Sequence, residues 1–427
     1  MDGSEKKRTV TSMFTQYRGL RREIYVLFFG RVVTNLGAMV WPMLTMILSR
    51  KMGMNAQTIS FFFVASGALM LPANLLGGRL ADKYDKKRII VAADAVSVLC
   101  YLISAVLPLS LWTVASMVFA GILQSMEYPA YNALVADLTL TKDRDRAYSL
   151  QYLGSNLGLV LSPTIAGLLF EKHLPLAFLI SGVSIGISTI LIARLVQDVT
   201  PVNDTDTAAV YQAEVKDADL WEILKRNPIL TVYTVAIALY YAAYGQYSFL
   251  MPLDMAAAHG EDGAVLFGTV SSLNCIIVVI FTPVITRVFE KLTDVRKILV
   301  GELLAGAGYA LFLTLLGNIP VYYAAITLFT WGEIFTTIAD GPYISNRIPA
   351  SHRGRINGLT SVLGSVIQGG AELGVGALYD RFGSLAAWTL VLSVLGAACL
   401  MTLFLIGRDK KAYPALYKGG KTEKQDR

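Results

Sequence analysis

Apolar and polar positions come in long blocks along this chain. Runs of apolar residues, each near the roughly 20 that a helix needs to cross a bilayer, are separated by short polar connections. The blocks predict spanning helices at 24–48, 58–80, 88–108, 112–136, 148–170 and 174–196. A second set falls at 229–253, 264–286, 298–316, 321–345, 355–378 and 385–406. Composition agrees: hydrophobic residues make up 54% of the chain and charged residues 16%, far from the balance of a soluble domain.

The second set repeats the first. Trp41-Pro42-Met43-Leu44 is answered by Met251-Pro252-Leu253, and Gly78-Arg79-Leu80-Ala81-Asp82-Lys83 by Thr286-Arg287-Val288-Phe289-Glu290-Lys291. Glu127-Tyr128-Pro129 is answered by Asp340-Gly341-Pro342, and Leu153-Gly154-Ser155 by Leu363-Gly364-Ser365. The offsets, 208 to 213 positions, stay in register. Six helices followed by six in the same order form a parallel repeat. The expected fold class is therefore an all-α membrane protein of twelve transmembrane helices in two parallel-repeat six-helix bundles. The expected domains are an N-terminal arm (1–23), a first bundle (24–196), a linker (197–228), a second bundle (229–406) and a basic tail (407–427). The linker ends in an amphipathic stretch, Leu220-Trp221-Glu222-Ile223-Leu224-Lys225-Arg226, expected to lie on the membrane surface.

Lys and Arg set the expected orientation. The N-terminal arm holds Lys6, Lys7, Arg8, Arg18, Arg21 and Arg22, and the loop after the second span holds Arg79, Lys83, Lys86, Lys87 and Arg88. The tail adds Arg408, Lys410, Lys411, Lys418, Lys421, Lys424 and Arg427, whereas the opposite loops hold only Arg50, Lys51, Lys172 and Arg381. The asymmetry predicts both termini in the cytoplasm of a multi-pass protein of the cell membrane. It also explains the +6 net charge as a match to anionic lipid headgroups, with no nucleic-acid partner. No cleaved leader is expected upstream of Ile24, where residues are polar and basic. Cys100, Cys275 and Cys399 lie in apolar spans without pairing or metal spacing. His173, His259 and His352 are scattered, and no phosphate-binding loop occurs. An enzyme, a metal, a cofactor and ATP-driven transport are all unsupported, which leaves an ion gradient as the energy source, or no coupling at all.

The string from Gly78 through Asp82 and Lys83 to Asp85, Lys86 and Lys87 resembles the signature loop of the major facilitator superfamily, Gly-x-x-x-Asp-Arg/Lys-x-Gly-Arg/Lys-Arg/Lys. Asp85 stands where that family usually has glycine, so the turn is expected to be less tight or differently capped. The resemblance covers essentially the whole chain and implies alternating access between two halves. It further implies that Asp82 accepts from free amides at the start of the eleventh helix, a charge–dipole latch. Asp137 would join that network with Lys83 or a neighbouring Arg. The fifth span, with Gly154, Gly158, Ser162, Pro163 and Gly167, resembles the Gly/Pro-rich fifth helix of the family's drug:proton antiporters, with Ala166 replacing a glycine. Its small residues let helices approach closely and Pro163 bends the helix. That family often carries an Arg in the fourth helix; here span four has none, and Arg31 is a candidate substitute.

Membrane-embedded charges carry the functional reading, since each costs on the order of 3 kcal/mol and needs a partner, a proton or water. Asp94 and Glu302 are read as structural, close enough to a membrane surface to snorkel or pair with loop Lys/Arg, and Glu372 as structural toward the outer end. Glu333 and Asp340, seven apart, share a helix face about 10 Å apart and form a ladder for substrate or protons. Gly332-Glu333-Ile334 resembles the tenth-helix Gly-Glu-Ile of bacterial proton-driven multidrug exporters, where that carboxylate is tied to cation recognition and coupling. Glu127, repeat mate of Asp340, would face the same space. Arg31, with Asn35 one turn on, either pairs with an embedded acid or snorkels. Tyr240, Tyr244 and Tyr247, with Gln246 among them, either form an aromatic binding face or pack helices.

The leading expectation is a secondary transporter exporting amphipathic, cationic small molecules against protons. Proton-coupled uptake of a sugar, peptide or organic anion, lipid transport, and a sensor that moves nothing remain open. The expected partners are a small-molecule substrate, protons and the bilayer, around a monomer.

Overall fold

The computed structural model describes residues 17–139, 141–196, 228–345, 347 and 350–414. The amphipathic stretch at 220–226, most of the N-terminal arm and the end of the tail lie outside the described residues. In chain order the α-helices begin with α1 (Arg22–Leu36), α2 (Val40–Met46) with a wider π-type turn at Ile47–Lys51, α3 (Ala56–Lys83), α4 (Lys86–Val106) and α5 (Leu111–Asp137). They continue with α6 (Thr141–Leu159), α7 (Ser162–Phe170), α8 (Leu174–Leu195), α9 (Pro228–Tyr244) and α10 (Gln246–His259). The series closes with α11 (Asp262–Val288), α12 (Asp294–Thr314), α13 (Ile319–Ser345), α14 (Ala350–Phe382) and α15 (Ser384–Ala412). No strand occurs among the described residues. Every span expected from the apolar pattern falls on helix.

Three spans are broken rather than continuous, and local chemistry accounts for each break. Gly37 ends α1, and the chain restarts at Val40 ahead of Pro42. Val160 and Leu161 form a turn immediately before Ser162-Pro163, where proline lacks an N–H and disfavours helical geometry at the residue before it. Gly245 separates α9 from α10. Helix ends are set by equally local signals. Asp85 caps α4, its carboxylate accepting from the Arg88 amide at 2.8 Å, so the residue that departs from the family's loop pattern closes the turn as an N-cap. Gly383, at φ 80°, separates α14 from α15 in a conformation that side chains with a Cβ rarely adopt.

Among the described residues nine helical stretches are long and apolar enough to cross a membrane. The helices α5, α13 and α14 fall outside that set because they carry polar interior positions, Glu127, Glu333, Asp340, Gln368 and Glu372 among them. Large apolar side chains such as Trp112, Leu400 and Val366 point outward and are mostly exposed, as a hydrocarbon solvent requires.

The chain divides into two compact units. One comprises Met1–Val40, Leu69–Ser162 and Lys172–Thr207; the other comprises Trp41–Ala68, Pro163–Glu171 and Ala208–Arg427. Compactness therefore follows a different line from the sequence repeat, because segments of the first, second and fifth spans group with the second half. In the first unit α1 packs on α6 and α8, and α4 on α5 and α8. Its core includes Ile24, Leu27, Ile90, Ala130, Tyr131 and Leu134. Close approach needs glycine: a Cβ on Gly158 would lie 2.4 Å from the Val32 carbonyl oxygen, and one on Gly77 only 1.8 Å from that of Met126.

In the second unit α12 and α13 form the tightest pair. A Cβ on Gly332 would meet the Gly301 carbonyl oxygen at 2.5 Å, and one on Gly301 the Gly332 carbonyl oxygen at 2.7 Å. The segments recruited from the first half are held by specific contacts. Lys51 pairs with Glu171 at 2.5 Å, Thr45 donates to the Ser248 carbonyl at 2.9 Å, and Gly167 closes on Ala264, whose carbonyl oxygen lies 2.4 Å from a Cβ position there.

Candidate functional site

Helix α13 supplies two carboxylates of the second unit, Glu333 and Asp340. Gly332 brings α12 against it, which fixes the rotation of Glu333. The Glu333 carboxylate accepts from the Tyr244 hydroxyl at 3.0 Å and from Asn274 Nδ2 at 2.8 Å. Asn274 is itself held by the Thr330 hydroxyl at 2.8 Å. Two turns on, Asp340 accepts from Tyr233 at 2.5 Å and from Tyr241 at 3.1 Å. Each carboxylate thus has a donor on each oxygen, the arrangement that an ionised group needs. Among the described residues neither forms an ion pair. Both keep part of their surface accessible.

The tyrosines of α9 and α10 surround these acids from both sides of the break at Gly245. Tyr244 and Tyr247 each stack on Phe329 with centroids 5.3 Å apart. Tyr240 is buried behind them, 6.2 Å from the Tyr244 ring. Tyr309 extends the cluster, lying 5.1 Å from Phe329 and donating to the Ala243 carbonyl at 3.1 Å, an acceptor that the Gly245 break leaves over. Gln246 is fully buried at the start of α10 and donates to the Ala242 carbonyl at 3.1 Å. Tyr241, outside the expected stripe, reaches Asp340 together with Tyr233. Tyr233 and Asn274 carry no sequence signal of their own; only the packing of α9 and α11 on α13 reveals them.

The first unit holds a second polar cluster. Glu127 from α5 contacts Asp94 from α4, carboxyl to carboxyl. Asp94 is almost fully buried and accepts from the Thr189 hydroxyl at 2.8 Å. Arg31 from α1 lies over the Tyr131 ring, 4.0 Å from its centroid, with its charge acting on both acids. Arg31 thus stands near the embedded acids, and among the described residues it forms no ion pair with either. Asn35, one turn on, packs against Gly158. The reading of Asp94 and Glu302 as snorkelling residues is corrected. Glu302 is wholly buried and accepts from Thr402 at 2.9 Å, because α8 and α15 each offer a threonine that replaces the membrane surface as partner. Their numbering, 94 and 302, is the repeat offset, a signal that was present in the sequence.

At the turn between α3 and α4, Lys86 pairs with Asp137 at 2.8 Å. Lys86 therefore takes the place expected for Lys83, which is exposed along with Asp85. Helix α4 starts at Lys86, which turns that side chain toward the end of α5. Lys87 is half-buried. Gly78 has room for a Cβ, its nearest neighbour being Pro129 at 4.0 Å; the tight contact belongs to Gly77. The side chains of Asp82 and of residues 350–361, which would form the expected latch, lie outside the described residues.

Two further buried acids were not singled out from sequence. Asp254 accepts from Ser384 at 2.8 Å and Trp388 at 2.6 Å. Asp409 accepts two bonds from Arg347, at 2.8 and 2.6 Å, and one from Tyr343 at 3.0 Å. Glu372 is buried and held by Gln368 at 3.0 Å. No cluster of three or more His, Cys, Asp or Glu that could hold a metal occurs among the described residues.

Residues 27–371 match the family model described as Major Facilitator Superfamily. The chain is 24% identical over 345 residues to a Na(+), Li(+), K(+)/H(+) antiporter of Planococcus maritimus, covering 74% of this chain and 80% of that one. It is 22% identical over 370 residues to the quinolone resistance protein NorA of Staphylococcus aureus (strain MRSA252), covering 84% and 91%. Among solved structures, a POT family transporter in complex with 5-aminolevulinic acid superposes with a TM-score of 0.77 at 15% identity, over 92% of this chain and 97% of that one. With two clusters of embedded acids among its helices and a family match across most of its length, this chain is a multi-pass membrane transporter, not an enzyme, and belongs to the major facilitator superfamily.

Proposed function

We propose that this transporter exchanges amphipathic organic cations for protons, exporting the cation from a cell whose cytoplasm holds both termini of the chain. The observation that carries the reading is Glu333. It is an acid within a helix, supplied with two donors yet no counter-cation among the described residues, beside the aromatic faces of Tyr244, Tyr247 and Phe329. A carboxylate beside ring faces suits a large, weakly hydrated cation: the charge is met at one point, while the rings offer apolar area and quadrupole attraction. Asp340, with Tyr233 and Tyr241, gives the cation or a proton a second position on the same helix. The names of two relatives, a cation/proton antiporter and a quinolone resistance protein, support exchange and export over uptake.

The test is proton flux in proteoliposomes containing an internal pH dye, with tetraphenylphosphonium as solute and sugars and peptides as comparison. Protons and tetraphenylphosphonium should move in opposite directions, with the rate falling about tenfold or more in Glu333→Gln, the scale of one lost charge-assisted contact. Unaltered exchange in that variant, or protons accompanying a nutrient instead, would sink the reading.

A further inference from the structure

We propose that Asp94 and Glu127 hold one exchangeable proton between them, with Arg31 as its fixed counter-charge, and that this pair is the proton-carrying site of the transporter. The inference rests on the proton-exchange reading above and assigns the proton to a place away from Glu333.

Hydrogen bonds separate the two kinds of acid. Glu333 and Asp340 each receive two protein donors, so both are satisfied as carboxylates. Asp94 receives one, from Thr189, and its other neighbour is the carboxyl group of Glu127. Two carboxylates offer only lone pairs to each other, so a contact between them needs a proton on one of the two. The groups facing the pair come from every helix around it. Helix α1 gives Arg31, α5 gives Glu127 and Tyr131, and α8 gives Thr189. From α6, Gln151 holds the Tyr131 hydroxyl at 3.0 Å, while that hydroxyl donates to the Leu27 carbonyl at 2.8 Å. Tyr131 is thereby locked, and its ring carries the Arg31 guanidinium. Among the described residues Arg31 forms no ion pair with either acid, so it stands near without neutralising one of them permanently.

The charges then sum simply. Two carboxyl groups sharing one proton carry a single negative charge, and Arg31 carries a single positive one. With the proton present the cluster is neutral, the cheapest state for a site inside a membrane. Once the proton is lost the cluster is anionic, and an arriving cation offsets the loss. The proton half of the exchange is thus built into the first unit. Asp94 is nearly closed off, whereas Glu127 keeps accessible surface, which makes Glu127 the end at which the proton enters and leaves. The repeat mate of Asp94, Glu302, has the equivalent threonine but, among the described residues, no acid or Arg beside it, so among those residues the device is found in the first unit.

The experiment uses the purified full-length protein, with Asp94→Asn, Glu127→Gln, and Asp94→Glu as a conservative control. Infrared difference spectra at neutral pH, in water and deuterium oxide, read the C=O stretch of protonated carboxyls. Asp94→Asn and Glu127→Gln should each remove the same band, because the remaining carboxylate is balanced by Arg31 and needs no proton; Asp94→Glu should retain it. Persistence of the band in both would overturn the proposal. In unbuffered detergent solution, proton release on adding tetraphenylphosphonium should fall about tenfold in Asp94→Asn, and the affinity for tetraphenylphosphonium should lose its dependence on pH, as linkage between the two binding events requires. Undiminished release would also overturn it. If the wild-type protein fails to bind tetraphenylphosphonium, the organic-cation reading fails, and the infrared comparison still decides whether the pair holds a proton.

Discussion

The carboxylate of Asp380, near the end of α14, caps the first turn of α3, accepting from the amides of Ala56 at 3.0 Å and Gln57 at 2.7 Å. Both residues belong to the second unit, more than 300 positions apart. The start of a helix leaves its amides without partners, and an acid there meets both the hydrogen-bonding need and the helix dipole. One turn before Asp380, Gly376 lets α14 approach, its Cβ position lying 2.8 Å from the Ala56 carbonyl oxygen. Replacing Asp380 by Ala should remove about 1 kcal/mol of local stability. Hydrogen exchange at Ala56 and Gln57 should then accelerate roughly fivefold, whereas Asp380→Asn should keep most of the protection. Equal exchange in wild type and Asp380→Ala would contradict the cap.

Gly332 and Gly301 cross so closely that neither position has space for a methyl group. Gly332→Ala should separate α12 from α13 at a cost of about 1–3 kcal/mol, visible as a lower unfolding temperature in detergent. Because Glu333 is the next residue, cation binding should weaken with it. Gly78→Ala, at a glycine with room for a Cβ, should leave both unchanged.

Arg347 and Asp409 test the worth of a buried pair. Their side chains are 3% and 0% exposed, so Arg347→Ala strands a carboxylate and should cost about 3–5 kcal/mol. Replacing both, Arg347→Met with Asp409→Leu, should cost less than the single change. A thermal-melt double-mutant cycle checks this ordering, and additive losses would contradict it.

Lys86 and Asp137 also form a pair, at 2.8 Å, but each side chain is 26% exposed. Water and salt screen such a contact, so Lys86→Gln should change the stability by less than about 1 kcal/mol. A melt lowered as far as that of Arg347→Ala would show that the loop is built differently.

Sequence reasoning reached far into the site where a residue type was out of place. Glu333, Asp340, Glu127 and Arg31 were legible because an ionisable group in an apolar run has few reasons to be there. Tyr244 was legible through its spacing. What the residues touch was not. Tyr241 fell outside the expected stripe until the folded chain set its hydroxyl on Asp340, and Asp94 looked like an interfacial residue until Thr189 and Glu127 closed around it. Lys86, not Lys83, meets Asp137 because Lys83 ends α3 whereas Lys86 opens α4.

The pattern of apolar runs alone determined that this is a helical membrane protein and where its helices lie. In a bilayer, backbone groups must pair within each segment, so the number and length of apolar runs dictate the elements. Tertiary structure decided the rest: which helices interlock, which donor reaches which acid, and that two carboxyl groups meet with one arginine beside them. Such contacts depend on helix rotation and on approach distances set by single glycines, and these arise only when distant segments pack together.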